Sequence, residues 1–243
     1  MTNKLLSFLT KPFTDFIKKK KNQSNLKKKL KSIPNYSSFK EIKELEGNLN
    51  NFENELLKYG KIGIILGARG SGKSALGMKI LENIASKEKK GYALGFRIDR
   101  LPKWITHINN INEVPNNSFL LVDEAGIEFS SRSSMKNTNK LLSDLLLISR
   151  HKSISIIFIT QNSSNIEINT LRQADYLLLK PSSLLQLDFE RKKIKDIYKE
   201  VIEIFKKHPE KDTTYVYSDF YRGFVKVPLP SFWTEDLSKS YSK

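Results

Sequence analysis

Residues 61–74 read KIGIILGARGSGKS, an apolar run followed by Gly67, Ala68, Arg69, Gly70, Ser71, Gly72, Lys73 and Ser74. The second half fits G-x-x-x-x-G-K-[ST] through Gly67, Gly72, Lys73 and Ser74. The chemistry explains the spacing. Backbone N–H groups must wrap phosphate oxygens closely, side chains at the glycine positions would obstruct them, and the following helix N-terminus adds positive potential. Lys73 is then expected to reach the β and γ phosphates of ATP, and Ser74 to hold Mg²⁺. A glycine-rich turn that merely contains a lysine is the bland alternative, but a turn has no need of Lys-Ser after its last glycine.

Outward from this loop, Lys61–Leu66 is expected to be a buried strand. Leu76, Ile80 and Ile84 recur one turn apart and predict a helix behind it. Further short apolar runs lie at Tyr92–Ile98, Phe119–Val122, Ile154–Thr160 and Tyr176–Leu179, with a helical pattern at Leu141–Ser149. Continuous runs of this kind suit strands covered on both faces, and their alternation with helices predicts an α/β fold with a mostly parallel central sheet between helical layers. Beyond Pro181, one charged helix is expected over Leu184–Lys207 and a hairpin over Thr213–Val227, turning at Tyr221–Gly223.

Two of these strands end in polar residues. Ser118–Glu124 reads SFLLVDE, which puts Asp123 beside the loop to organise Mg²⁺ and Glu124 where it can polarise an attacking water. Ile156–Gln161 reads IIFITQ, and in a parallel sheet Gln161 would reach the same carboxyl edge, to sense the γ-phosphate or position water. Solvated strand ends are the alternative for both. Arg150 and His151 precede the latter strand at the edge opposite the phosphates, so Arg150 is better placed to serve a neighbouring subunit than its own. A surface arginine favoured by a helix dipole is the alternative, and Arg132 and Arg172 are rivals for the same role.

Composition narrows the classes. The chain of 243 residues has no cysteine, which excludes disulfides and thiolate metal sites; His107, His151 and His208 are scattered, which argues against zinc. No stretch approaches the ~18 to 20 apolar residues of a membrane span. An intracellular, cytoplasmic protein is therefore expected. Net charge is +16, of which +10 falls in residues 1–40, where eleven lysines face the single acid Asp15. Leu5, Leu6, Leu9, Phe13, Phe16 and Ile17 recur there at helical spacing. Such a basic amphipathic arm can grip nucleic acid, lie on an anionic membrane surface or dock on a protein partner such as a capsid; a solvated lysine-rich tail is the plain alternative. Residues 22–55 are expected to be a linker with a short helix around Phe39–Leu57. The organisation is thus an arm and linker over 1–55, an ATPase core over 56–181 and a helix-hairpin extension over 182–243.

GARGSGKS, the acids after SFLLV and the stretch SRHKSISIIFITQ followed by Leu171 and Arg172 together resemble the FtsK–HerA group of P-loop motor ATPases. The likeness extends to zonula occludens toxin-like proteins and small-virus genome-packaging ATPases, over roughly residues 60–180. The resemblance implies a three-layer, RecA-like P-loop fold of the ASCE type and a homo-oligomeric ring, usually hexameric, that hydrolyses ATP with Mg²⁺ to move double-stranded DNA. It assigns Lys73, Ser74, Asp123, Glu124 and Gln161 their usual roles, and Arg150 that of a finger acting in trans. Genome packaging or mobile-element transfer fits the chain length. Two readings stay open beside it: a nucleotide or small-molecule kinase, and a nucleotide-switched membrane or assembly protein associated with a viral particle or membrane periphery.

Overall fold

The computed structural model describes residues 33–123, 135–166, 168–234 and 237–238, together with Ser24 and Leu30. The basic arm expected over the first residues, Glu124 and Arg132 lie outside the described residues. Nine strands form one sheet: β1 (Lys40–Gly47), β2 (Ile62–Leu66), β3 (Gly91–Leu94), β4 (Ile105–Ile108), β5 (Phe119–Asp123), β6 (Ser155–Thr160), β7 (Tyr176–Leu179), β8 (Thr213–Ser218) and β9 (Tyr221–Lys226), in the order β1-β9-β8-β7-β2-β6-β5-β3-β4. The six strands from β7 to β4 are parallel, and β8, β9 and β1 add antiparallel ribbons at one side. The expected mostly parallel α/β sheet is therefore present.

Strand periodicity sorts the core into layers. Along β2, Ile65 faces one side and joins Leu76, Ile80 and Ile84 of α2 (Lys73–Ala85). Ile62 and Ile64 face the other side and join Leu145 and Leu146 of α3 (Met135–Lys152), while Leu66 meets Ile194, Ile197 and Tyr198 of α6 (Lys192–Lys207). Two residues per strand repeat make this division unavoidable once both faces are covered. Helix α2 is buried nearly all round, because α1 (Leu49–Leu56) and the Phe232 segment close over its outer side. Its contact with the sheet is close: a Cβ on Gly77 would stand 2.7 Å from Leu121 Cδ1.

Several expectations need correction. Residues 22–55 do not all serve as linker, and 39–57 is not one helix: Lys40–Gly47 is strand β1, paired with β9, and only Leu49–Leu56 is helical. The strand was hard to read because its side chains are mostly exposed and alternate in charge, as suits an edge strand that must resist further pairing. No break in packing falls at residue 55, since Phe39, Phe52 and Leu56 share one core cluster with Ile65 and Leu76. The hairpin β8–β9 extends the same sheet from β7. The charged helix expected over Leu184–Lys207 is two helices, α5 (Leu184–Asp188) and α6, separated where Glu190 turns inward. The hairpin turns at Asp219–Phe220, two residues before the expected place, with the Ser218 hydroxyl accepting from the N–H groups of Phe220 and Tyr221. Strand β4 lies outside the expected runs because Thr106 and His107 stand between its two isoleucines, so ITHI shows no continuous apolar stretch.

Candidate nucleotide site at the carboxyl edge of the sheet

The loop between β2 and α2 leaves the centre of the parallel sheet at its carboxyl edge. Gly72 stands immediately before α2 with φ +95°, a backbone state that L side chains rarely adopt, and offers no side chain to cap the first N–H groups of the helix. A Cβ on Gly67 would meet Lys180 Cβ at 2.6 Å. These two glycines shape a cradle of backbone N–H groups. Ser71 Oγ is buried within it and has no hydrogen-bond partner, a group whose polarity awaits an acceptor or donor from outside the chain.

Around the cradle, Lys73 is buried, and its Nζ donates to the carbonyls of Gly67 at 2.8 Å and Ala68 at 2.9 Å. Ser74 Oγ donates to Asp123 Oδ2 at 3.4 Å. Arg69 and Gly70 are exposed at the loop tip. Sheet register explains why distant residues converge. Asp123 pairs with Ile159 on β6, and Leu66 pairs with both Thr160 on β6 and Leu179 on β7. Gly67, Gln161 and Lys180 therefore emerge side by side, one residue beyond the ladder. Strand β6 lies between the loop strand β2 and the acid-bearing strand β5, which is the ASCE order.

Lys73, Ser74, Asp123 and Gln161 thus share one edge, and Gln161 is exposed there. Arg150 does not join them. It is exposed in the last turn of α3, four residues before Ile154 leads into β6, and so sits at the amino edge of the sheet; His151 and Lys152 share that turn and suit the helix dipole. Arg172 is exposed at the end of α4 (Ile168–Arg172), just before β7, and so at the amino edge as well. Glu124, next along the chain from Asp123, is outside the described residues.

Two groups that sequence reading passed over complete the edge. Lys180 is almost wholly buried beside the cradle, with its Nζ donating to Lys211 O at 2.7 Å, Thr213 O at 3.0 Å and Thr214 Oγ1 at 3.0 Å. Burial pushes its ammonium down to about 7, against a smaller opposing pull from the Asp212 carboxylate. The phenol of Tyr198, itself pushed up by burial, donates to Lys180 O at 2.9 Å and pins the ends of β2 and β7 to α6. A signal for Lys180 existed: YLLLK is a third apolar strand ending in a polar residue.

An ATP phosphate chain with Mg²⁺ fits these residues. The orphaned Ser71 hydroxyl, the glycine cradle and the hard oxygen donors of Ser74 and Asp123 are each of the chemistry that such a group requires.

Fold and loop define a P-loop NTPase-type α/β fold, with the candidate nucleotide site at the carboxyl edge of its sheet. Within that class it is similar to the family described as Zonular occludens toxin (Zot), which matches residues 96–176. That third of the chain begins beyond the phosphate loop and carries Asp123, Glu124, Arg150, Gln161 and Arg172. Among solved structures, the DNA-packaging ATPase B204 from Sulfolobus Turreted Icosahedral Virus superposes with a TM-score of 0.51 at 16% identity, covering 70% of this chain and 99% of its own. The genome packaging NTPase B204 from Sulfolobus turreted icosahedral virus 2, in complex with AMPPCP, gives 0.51 at 15% identity over 70% and 99% of the two chains. At this identity the likeness establishes the fold. No curated protein sequence matches the chain. Among the described residues, no helix is long and apolar enough to cross a membrane.

Proposed function

We propose that the chain is a DNA-translocating motor that hydrolyses ATP with Mg²⁺ in a ring of identical subunits, in genome packaging or mobile-element transfer. The observation that carries the hydrolytic part is the contact between Asp123 and Ser74, the residue next to the buried Lys73. In this reading the cradle N–H groups and Ser71 hold the phosphate chain, and Lys73 exchanges its two carbonyl partners for β and γ phosphate oxygens. Ser74 and Asp123 would hold Mg²⁺, whose charge would offset that developing on the phosphates. Glu124 accepts a proton from the attacking water, and Gln161, one strand nearer to the loop, orients that water or reads the γ-phosphate. Arg150 lies at the edge of the sheet opposite its own site, so in this reading its catalytic part is played at the site of the next subunit, where an arginine supplied in trans can raise turnover by ~10³ or more.

Support for DNA as the polymer comes from the +10 charge of residues 1–40 and from the packaging role stated for the similar B204 ATPase. Each lysine-phosphate contact releases counterions, so affinity should fall steeply with salt. The same arm would bring the ring to a capsid or membrane surface.

The test is Mg²⁺-dependent ATP hydrolysis with and without double-stranded DNA, together with the size of the assembly in an ATP analogue. Hydrolysis stimulated by DNA in a ring is expected. Absence of hydrolysis in both conditions sinks the motor reading, and a monomer with full activity sinks the trans role of Arg150. Lys73→Ala should lose nucleotide binding and turnover together, whereas Glu124→Gln should keep ATP and stall.

A further inference from the structure

Gln161 is exposed, yet the turn that follows it is tied down by a buried acid from far along the chain. Ser163, wholly buried, donates its N–H to Glu190 Oε2 at 2.9 Å, and its hydroxyl donates to the same oxygen. Glu190 is itself only 7% exposed. Arg191 completes the tie: its N–H donates to Ser163 Oγ at 3.1 Å, its Nε to Ser163 O at 3.1 Å, and its Nη2 to Ile166 O at 2.9 Å. On the other side of the turn, the Gln186 side-chain amide donates to the Gln161 backbone carbonyl. The segment 186–191 therefore grips residues 161–166 from both ends.

Packing does not require this arrangement. Burying a carboxylate costs several kcal/mol unless hydrogen bonds offset it, and here burial pushes the Glu190 carboxyl up while Ser163 opposes the shift. One of its oxygens, Oε1, has no partner at all. The turn has its own local means of closure, since Thr160 Oγ1 donates to Asn162 O at 3.0 Å and Asn162 Oδ1 accepts from Ser164 N at 2.8 Å. What Glu190 adds is a fixed position for the turn relative to α6, whose Tyr198 bonds the backbone of Lys180 beside Gly67.

We propose that Glu190 is a positioning residue for hydrolysis: through Ser163, and with Arg191 and Gln186, it sets the place of Gln161 over the phosphate loop. The segment between α5 and α6 thereby controls turnover without touching nucleotide. This rests on the reading that Gln161 acts at the γ-phosphate or on its attacking water.

A misplacement of about 1 Å at a reacting centre can lower a rate by ~10²-fold. Glu190→Ala in the full chain should therefore lower kcat by about 10- to 100-fold, with the KM for ATP and analogue binding within about twofold. Glu190→Gln retains an oxygen to accept from Ser163 and should restore most of kcat. Gln186→Ala, at a partly exposed position, should lower kcat in the same direction. The decisive measurement combines these with Gln161→Ala. If Glu190 acts through Gln161, Glu190→Ala or Gln186→Ala should cost less than about twofold more once Gln161 is gone.

Losses that multiply in the Gln161→Ala background, or equal losses in KM and kcat, overturn the positioning role and leave Gln161 standing. An unchanged kcat in Gln161→Ala overturns the role of Gln161 and this proposal with it. If Glu190→Ala does not fold, Gln186→Ala and Ser163→Ala decide by the same criteria.

Discussion

The Ser74 hydroxyl donates to Asp123 Oδ2 across 3.4 Å, joining the first turn of α2 to the last residue of β5. This is at the long end of hydrogen-bonding distance, and two hard oxygen donors so placed can close on a divalent cation without moving the backbone. Ser74→Ala and Asp123→Asn should each lower Mg²⁺-dependent turnover by about 100-fold, equivalent to about 2.7 kcal/mol of transition-state stabilisation. Because both act on one ion, the double variant should lose far less than the product of the two single effects. Turnover measured against Mg²⁺ concentration checks this; fully multiplicative losses would separate the two residues.

Gly63 lies at the middle of the sheet against the face of a buried ring, where a Cβ would stand 2.1 to 2.4 Å from Tyr176 Cε2, Cζ and Oη. Tyr176 cannot yield, since its other side meets Phe52 edge-on with ring centroids 5.7 Å apart. Gly63→Ala should destabilise the fold by about 1 to 3 kcal/mol through overpacking. At roughly 2 to 4 °C per kcal/mol for a domain of this size, thermal unfolding will show it. Adding Tyr176→Leu should recover part of the loss by vacating the space, and a melting temperature unchanged by Gly63→Ala would refute the contact.

Lys180 should make stability depend on pH. Its folded value is depressed to about 7 from an ordinary 10.5, so between those values the unfolded chain holds a proton that the folded chain has released. Stability from this group then rises with pH across that window and is lost as pH falls through 7. Lys180→Met should remove the dependence, so that the denaturation midpoint of the wild type rises relative to that of the variant from about pH 7 to about pH 10. A constant difference across that range would show that the proton is retained on folding.

How far the chain could be read in advance depended on where the partners of each residue lie. GARGSGKS is contiguous, and its glycines, lysine and serine carry their meaning in order and spacing; the apolar runs before Asp123 and Gln161 likewise announce strands whose polar ends share an edge once the sheet is parallel. Strand β1 was illegible for a physical reason. An edge strand whose side chains are mostly exposed shows no apolar alternation, and only the hydrogen bonds of β9, some 180 residues away, make it a strand. The split of α5 from α6 was hidden in the same way, because Glu190 looks like any helical glutamate until Ser163 is found beneath it.

Returning to the loop itself, the sequence alone determined that a phosphate-binding turn joins a buried strand to a helix, and that two further strands end in groups able to work beside it. Tertiary structure decided the rest. Register brought Asp123 to Ser74 and stood Gln161 and Lys180 beside Gly67, and packing buried the lysine and the glutamate that hold the edge in place. Local chemistry is written in neighbouring residues, whereas burial and distance are properties of the whole sheet; Lys180 and Glu190 take their character from the second, since YLLLK marks Lys180 only as a polar strand end and nothing in the chain marks Glu190 at all.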